Sequence, residues 1–263
     1  LRISLPDMKK ELPYFQIGTS YGGNQDWFSD YWMREGGCGA ETACDVSVYL
    51  AVYRGIPRAY PFRIPAVRED YVEFSEIMRP YLSPRWTGID RLDIYIDGFG
   101  SYLRDRGVDA IVLAPWEGTH SYEETRGIVH RQIDAEMPIP CLTLKHRAPS
   151  MDFYVWHWYL LTGYEDFDGE CAVKAVTYGH WRWLDLRTLW ESGYERRGGL
   201  WCSSRSRRNV KQLHKNTTRA QSHMRLRPCC ILVQNRHPRE NPPVTSAVWN
   251  PSGFRIGIAA KTS

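Results

Sequence analysis

Residues 36–39 read Gly-Gly-Cys-Gly and lead straight into AETACDVSVYLAVYR, a stretch apolar on nearly every face. A helix of that composition is buried, and Cys38 sits at its mouth. The start of a helix carries unpaired N–H groups and partial positive charge. Both favour a thiolate, so the position suits a nucleophile. The same N–H groups can hold the oxyanion of a tetrahedral intermediate, and the glycines let a substrate carbonyl approach the backbone. The chemistry would be acyl transfer through a thioester. The competing reading is a buried cysteine that closes a glycine loop.

A cysteine nucleophile needs a base. His157 lies in MDFYVWHWYLLTGYE, where alternation places Phe153, Val155, His157, Tyr159 and Leu161 on one strand face. A histidine among apolar strand neighbours is commonly a core residue. Its company, an early Cys-Gly helix start and a following Gly163-Tyr164, makes it the candidate base. Cys44, Cys141 and Cys171 fall in apolar segments and read as packing. His120, His130, His146 and His180 show no ligand spacing and read as surface or loop residues. Asp166 and Asp168 sit in EDFDGE, which reads as a hairpin turn rather than a calcium loop. Of Trp116, Trp156, Trp158, Trp181 and Trp183, at least half are expected in the core and the rest along a groove.

The elements that must position these residues follow from periodicity and breakers. Residues 14–37 are rich in Gly, Asn and aromatics and read as loop with a short turn of helix. The buried helix over 40–54 ends at Gly55, and Pro57, Pro61 and Pro65 mark an extended connection. A helix from Asp70 to Arg79 stops at Pro80. Ile89, Leu92, Ile96, Phe99 and Leu103 predict an amphipathic helix over 90–106, capped by Asp90 and ended by Gly107. Residues 108–114 read as a buried strand. Ser121 and Glu124 form a capping box for a helix whose inner face is Ile128, Val129 and Ile133. Strands follow over 139–145, 152–162, 171–178 and 181–187. Helices first and strands after predict an α+β fold.

Four segments together resemble the papain-like cysteine peptidases, specifically their bacterial C39-like branch: Gln25 in GGNQDWF, Cys38-Gly39-Ala40, the Pro-containing MPIPCLTLKH, and His157 in HWYLLTGYE. The resemblance spans about residues 14–190. It implies a helical lobe headed by the Cys38 helix, packed on an antiparallel sheet that carries His157, with a cleft between them. Cys38 would be the nucleophile and His157 the general base. Gln25, or Asn24 beside it, would donate to the oxyanion with the Cys38 backbone N–H. Gln25 lies 13 residues before Cys38, more than is usual in the family, so the intervening chain must loop out. The family also places an Asn or Asp on the strand after the histidine to fix its tautomer. The segment AVTYGHWRWLDL holds neither at that place. Asp185 is the nearest carboxylate, with Thr177 or a backbone carbonyl as alternatives. No metal or organic cofactor is implied. The expected activity is that of a thiol-dependent hydrolase acting on a peptide or amide bond. The alternatives are an acyltransferase of the same fold, passing the acyl group to a small-molecule or carrier amine, and a catalytically degenerate domain that binds a peptide.

The net charge of +4 hides a split. Residues 1–195 hold 20 Lys+Arg against 29 Asp+Glu, whereas residues 196–263 hold 14 against Glu240 alone. The boundary divides a peptidase domain over 14–195 from a basic tail over 196–263, read as disordered or never selected to fold. A nucleic-acid arm is the third reading, but no RNP, zinc-knuckle or helix-turn-helix pattern supports such a partner. No apolar run approaches the roughly 18 residues of a membrane helix. LRISLPDMKK lacks the order of a signal peptide, so a soluble, cytoplasmic protein is expected. Seven irregular cysteines predict no disulfide framework, and the absence of CxxC, HExxH and GxxxxGK[ST] argues against zinc-ribbon, zincin and P-loop chemistry.

Overall fold

The computed structural model describes residues 8–205. Most of the expected tail, with Cys229, Cys230 and Glu240, lies outside them. The first strand, β1 (Lys9–Glu11), precedes a small hairpin of β2 (Gln16–Ile17) and β3 (Ser20–Tyr21). Helices α1 (Tyr31–Gly36), α2 (Cys38–Tyr53), α3 (Arg68–Leu82) and α4 (Leu92–Asp105) follow. After β4 (Ile111–Glu117) and α5 (Tyr122–Asp134) come β5 (Ile139–Thr143), β6 (His157–Phe167), β7 (Glu170–Thr177) and β8 (His180–Asp185). The short helix α6 (Leu186–Trp190) and β9 (Gly198–Arg205) complete the described chain. The class is α+β.

All strand pairs in the main sheet are antiparallel, in the order β4-β9-β5-β6-β7-β8. Strand β6 is the axis. Its first half, from His157 to Leu161, pairs with β5, and its second half, from Gly163 to Glu165, pairs with β1. Since β7 takes the other edge, β5 and β1 share one edge of β6. A Cβ on Gly163 would lie 2.8 Å from the Lys10 carbonyl, so only glycine admits β1 there. Two apolar clusters cover the sheet. One combines most of α2 with α3, α4, Trp158, Leu160, Val176 and Trp201. The other combines α5 and α6 with Tyr159, Leu161, Val173 and Leu200. Alternate residues of β6 and of β9 therefore serve opposite faces.

Several expectations need correction. The tail does not begin at 196 as a structural boundary: β9 lies between β4 and β5, with Leu200 and Trp201 buried. Its Gly-Gly-Leu-Trp start carries apolar content that the neighbouring arginines mask in a charge count. Helix α3 runs through Pro80 to Leu82. Helix α4 starts after Arg91 without a side-chain cap, because Asp90 instead accepts from Arg196 at 2.8 Å. Strand β4 is half exposed, as fits the end of the sheet order. Residues 149–154 form a 3-10 turn, so the strand begins only at His157. Of the five tryptophans weighed together, Trp158 alone is fully buried, while Trp156 and Trp181 are exposed. The capping box at Ser121 and Glu124 is present, and Gly55 and Gly107 take positive φ beyond their helices. No helix among the described residues is long and apolar enough to cross a membrane.

Trp201→Ala tests the place of β9. Removing a fully buried tryptophan from the sheet is expected to destabilise the protein by about 3–5 kcal/mol. Thermal or urea unfolding of the full chain reads this directly, and an unchanged midpoint would put Trp201 outside the core.

Candidate active site where helix α2 meets strand β6

Glycine makes the junction before Cys38 possible. A Cβ on Gly37 would fall 2.1 Å from the Met33 carbonyl oxygen, so α2 can start directly on the last turn of α1 only with glycine there. The first helical bond of α2 then runs from Glu41 N–H to the Gly37 carbonyl at 2.8 Å. Gly39 packs against Ile89 and the Trp158 ring, and the Trp158 indole donates to the Ile89 carbonyl at 2.6 Å. These contacts seat the start of α2 on the start of β6.

Cys38 is a free, buried thiol. The backbone N–H groups of Trp158, Gly39 and Cys38 itself face the sulfur and favour its anion. Burial acts the other way and is the larger effect, helped by the nearby Glu41 carboxyl, so the thiol is pushed up to about 11. The lowered pKa expected of a helix-start cysteine is therefore not found: the sulfur is too far from water for the N–H groups to prevail.

His157 is also buried, and burial pulls its imidazole down to about 3. Its Nε2 lies 2.7 Å from Thr177 Oγ1, on the strand that follows. Thr177 thus takes the ring-orienting place for which Asp185 was the nearest carboxylate. Asp185 is at the far end of β8, opposite Ala172, where it accepts the Thr188 N–H at 2.6 Å and caps α6. It has no part in this site. Gln25 is buried nearby in sequence, but its side-chain amide donates to the Arg34 carbonyl at 2.7 Å and its Oε1 has no partner. Asn24 caps the 3-10 turn Gln25–Trp27 and donates to the Tyr178 carbonyl. Neither side chain is held free for an oxyanion.

Among the described residues no hydrogen bond joins the Cys38 sulfur to the His157 ring. Tyr178 is their shared neighbour. Its ring stacks on the imidazole, with centroids 4.9 Å apart and planes 2° apart. The Cys38, Glu41, Asp26 and Glu35 side chains all bear on its phenol and, with burial, hold it neutral. Phe153, which is exposed, meets His157 edge-on at 6.0 Å. A separate cleft of about 410 Å³ opens beside Asp90, Leu92, Leu142 and Arg196. It includes neither Cys38 nor His157.

Sequence reasoning missed Tyr178 and Glu41. Tyr178 was legible as the residue before Gly179 in a hairpin, and Glu41 as the only acid in the first turn of a helix otherwise fit for burial.

The His157 value carries a stability consequence. The unfolded imidazole titrates near 6.5 and the folded one near 3, so the unfolded chain binds the proton more readily. This contribution is fully present above pH 6.5 and drains away as pH falls from 6.5 towards 3. His157→Gln removes it. The urea-midpoint difference between wild type and variant is expected to shrink, or to change sign, across that window; a difference independent of pH would refute the buried neutral imidazole. Among known proteins, no family model, no curated protein and no solved structure matches this chain.

Proposed function

We propose that the protein is a papain-like thiol hydrolase that cleaves a peptide or amide bond through a thioester on Cys38, and that it rests in a closed state. One observation carries the reading. The start of the Cys38 helix is seated on the start of the His157 strand, with Gly39 against the Trp158 ring and Thr177 on Nε2 of the imidazole. Thr177 leaves Nδ1 as the ring nitrogen free to take a proton, provided Nε2 carries hydrogen and donates to Oγ1. In the working state Cys38 attacks the carbonyl, and its proton passes to His157 Nδ1. The tetrahedral oxyanion is held by the N–H groups of Cys38 and Gly39, and the leaving amine takes the proton back. Water then releases the acyl group. Phe153 and Trp156, both exposed beside His157, offer an apolar platform for a peptide side chain. Among the described residues all five cysteines are free, which accords with a cytoplasmic setting.

The stacked Tyr178 must leave for this chemistry. With the thiol near 11 and the imidazole near 3, the proton stays on sulfur. Those two values favour a second reading, a degenerate domain of the same fold that binds a peptide without cleaving it.

Tyr178→Gly separates the two. Glycine suits the positive φ of 49° at this position and removes the ring. Alkylation of Cys38 by iodoacetamide is expected to be slow in wild type, with a pH midpoint well above the roughly 8.5 of a free thiol, and to shift towards that value in the variant. Peptide hydrolysis that rises with it supports the enzyme. A shifted midpoint with no hydrolysis selects the binding domain. Cys38→Ala should abolish labelling by a thiol-directed acyl probe, and equal labelling would remove Cys38 from the role.

A further inference from the structure

The face of the sheet opposite most of α2 carries a second group of reactive side chains. Asp166 on β6 and Cys171 on β7 are directly opposed across the hairpin that turns at Asp168-Gly169. Helix α5 lies over this hairpin and adds His130, whose ring stacks on Tyr164 at 4.0 Å. The sequence offers no ligand spacing for His130, because its neighbours arrive from strands more than thirty residues on.

The donor atoms converge. His130 Nε2 lies 3.4 Å from Asp166 Oδ2 and 3.8 Å from Cys171 Sγ, and all three atoms are within 4.8 Å of one another. Asp166 is 4% exposed, and its Oδ2 is fully buried without a hydrogen-bond partner. Its Oδ1 is taken by Arg126 at 2.9 Å, which fixes the carboxylate with the other oxygen turned towards His130. Cys171 is buried and free. Its thiol also donates to the Ala172 carbonyl at 3.6 Å.

We propose that His130 Nε2, Asp166 Oδ2 and Cys171 Sγ bind a divalent metal ion of the zinc class. Tetrahedral zinc with ordinary bond lengths sets ligand atoms about 3.3 Å (N to O) and about 3.6 Å (N to S) apart. The two His130 separations exceed these by one to two tenths of an ångström, whereas Asp166 Oδ2 and Cys171 Sγ, within 4.8 Å of each other against about 3.6 Å for a tetrahedral O–S pair, would have to close by up to about 1.2 Å through rotation of both side chains. Nitrogen, thiolate and carboxylate are a donor set zinc takes, whereas calcium and magnesium prefer oxygen alone. Arg126 acts as the outer-shell partner that orients the carboxylate. Binding is balanced by one proton: the Cys171 thiol loses it to solvent as the metal–sulfur bond forms, and no oxidant or reductant enters. Water completes the tetrahedron. The ion would clip α5 to the β6–β7 hairpin, independently of Cys38. A protonated His130 paired with Asp166 would explain two of the three groups, but it leaves the convergence of the thiol without a role.

The test uses the full chain, stripped with a chelator and reduced, titrated with Co²⁺ and then competed with Zn²⁺. The expected result is one equivalent bound with a thiolate-to-cobalt charge-transfer band, displaced by zinc with a rise in Tm. Cys171→Ser should lose the band. His130→Gln, at a half-buried helix position, should retain the fold and weaken zinc by more than about 10-fold, the lower end of what even an outer-shell partner contributes. Cys38→Ala and the double variant Cys229→Ser/Cys230→Ser should bind as wild type. Absence of a band at equimolar cobalt overturns the proposal. So does a band that survives Cys171→Ser, one that depends on Cys229 and Cys230, or undiminished zinc binding by His130→Gln.

Discussion

The burial of helix α2 governs the rest. Every residue from Cys38 to Leu50 is buried, including two carboxyls, a serine and a threonine. Ser47, Thr42 and Asp45 find their partners in the helix backbone, in tyrosines and at Gly23. Ser47 donates back to the Ala43 carbonyl, and Thr42 bonds the Gly39 carbonyl and the Tyr95 hydroxyl. Asp45 accepts from Tyr14 and Tyr71, each at 2.7 Å, and from the Gly23 N–H at 3.0 Å. Those bonds tie the β2–β3 hairpin region and α3 to the central helix. Three donors still do not fully offset the loss of water, and Asp45 is raised to about 6. A buried carboxyl of this kind is an anchor because either partner left alone inside would be destabilising.

The same burial decides the state of Cys38. Helix-terminus charge is worth about 0.3–1 kcal/mol, reaching ~2 in favourable partly buried geometry. The net shift of the thiol from 9.0 to about 11 corresponds to roughly 3 kcal/mol in the opposite direction. Desolvation therefore wins even with three N–H groups facing the sulfur. His157 is buried too, and there burial has the opposite sign, since it penalises the cationic form. Burial drives the two groups apart in pKa, and restoring water or substrate dipoles at each would bring each back towards its ordinary value.

The sequence made several helix starts, the turns and the class legible where the signal was local, although Pro80 does not stop α3 and Asp90 does not cap α4. The capping box at Ser121, the glycines that end α2 and α4, and the Asp168-Gly169 turn depend on a few adjacent residues, and the fold keeps them. The Cys38 helix was legible because it is apolar on nearly every face. The failures at the site were long-range. Asp185 looked available as an orienter because it is an acid near the right strand, but β8 runs antiparallel and carries it to the far end. Thr177, a weaker hydrogen-bonding group, wins by register. Gln25 was placed by resemblance alone, and the Arg34 carbonyl claims its amide. Charge counting hid β9, since two arginines precede a strand whose Leu200 and Trp201 are core.

The two hairpin turns of the sheet show where local preference yields to the site. Both turns place two successive residues at positive φ, the geometry that matches strand twist and favours Asn, Asp or Gly first. Asp168-Gly169 obeys, with φ of 48° and 86°. Tyr178-Gly179 does not, with a bulky aromatic at 49°. The strain of that choice must be offset by what the ring gains elsewhere, and its gains are specific: a near-parallel stack on His157 and shelter from water. A residue poorly suited to its own turn, yet well suited to covering an imidazole, belongs to the site and not to the hairpin. The backbone cost at φ 49° is set by the Cβ and stays whichever way the ring turns, so a ligand that takes the ring's place on His157 must itself replace the stack and the shelter.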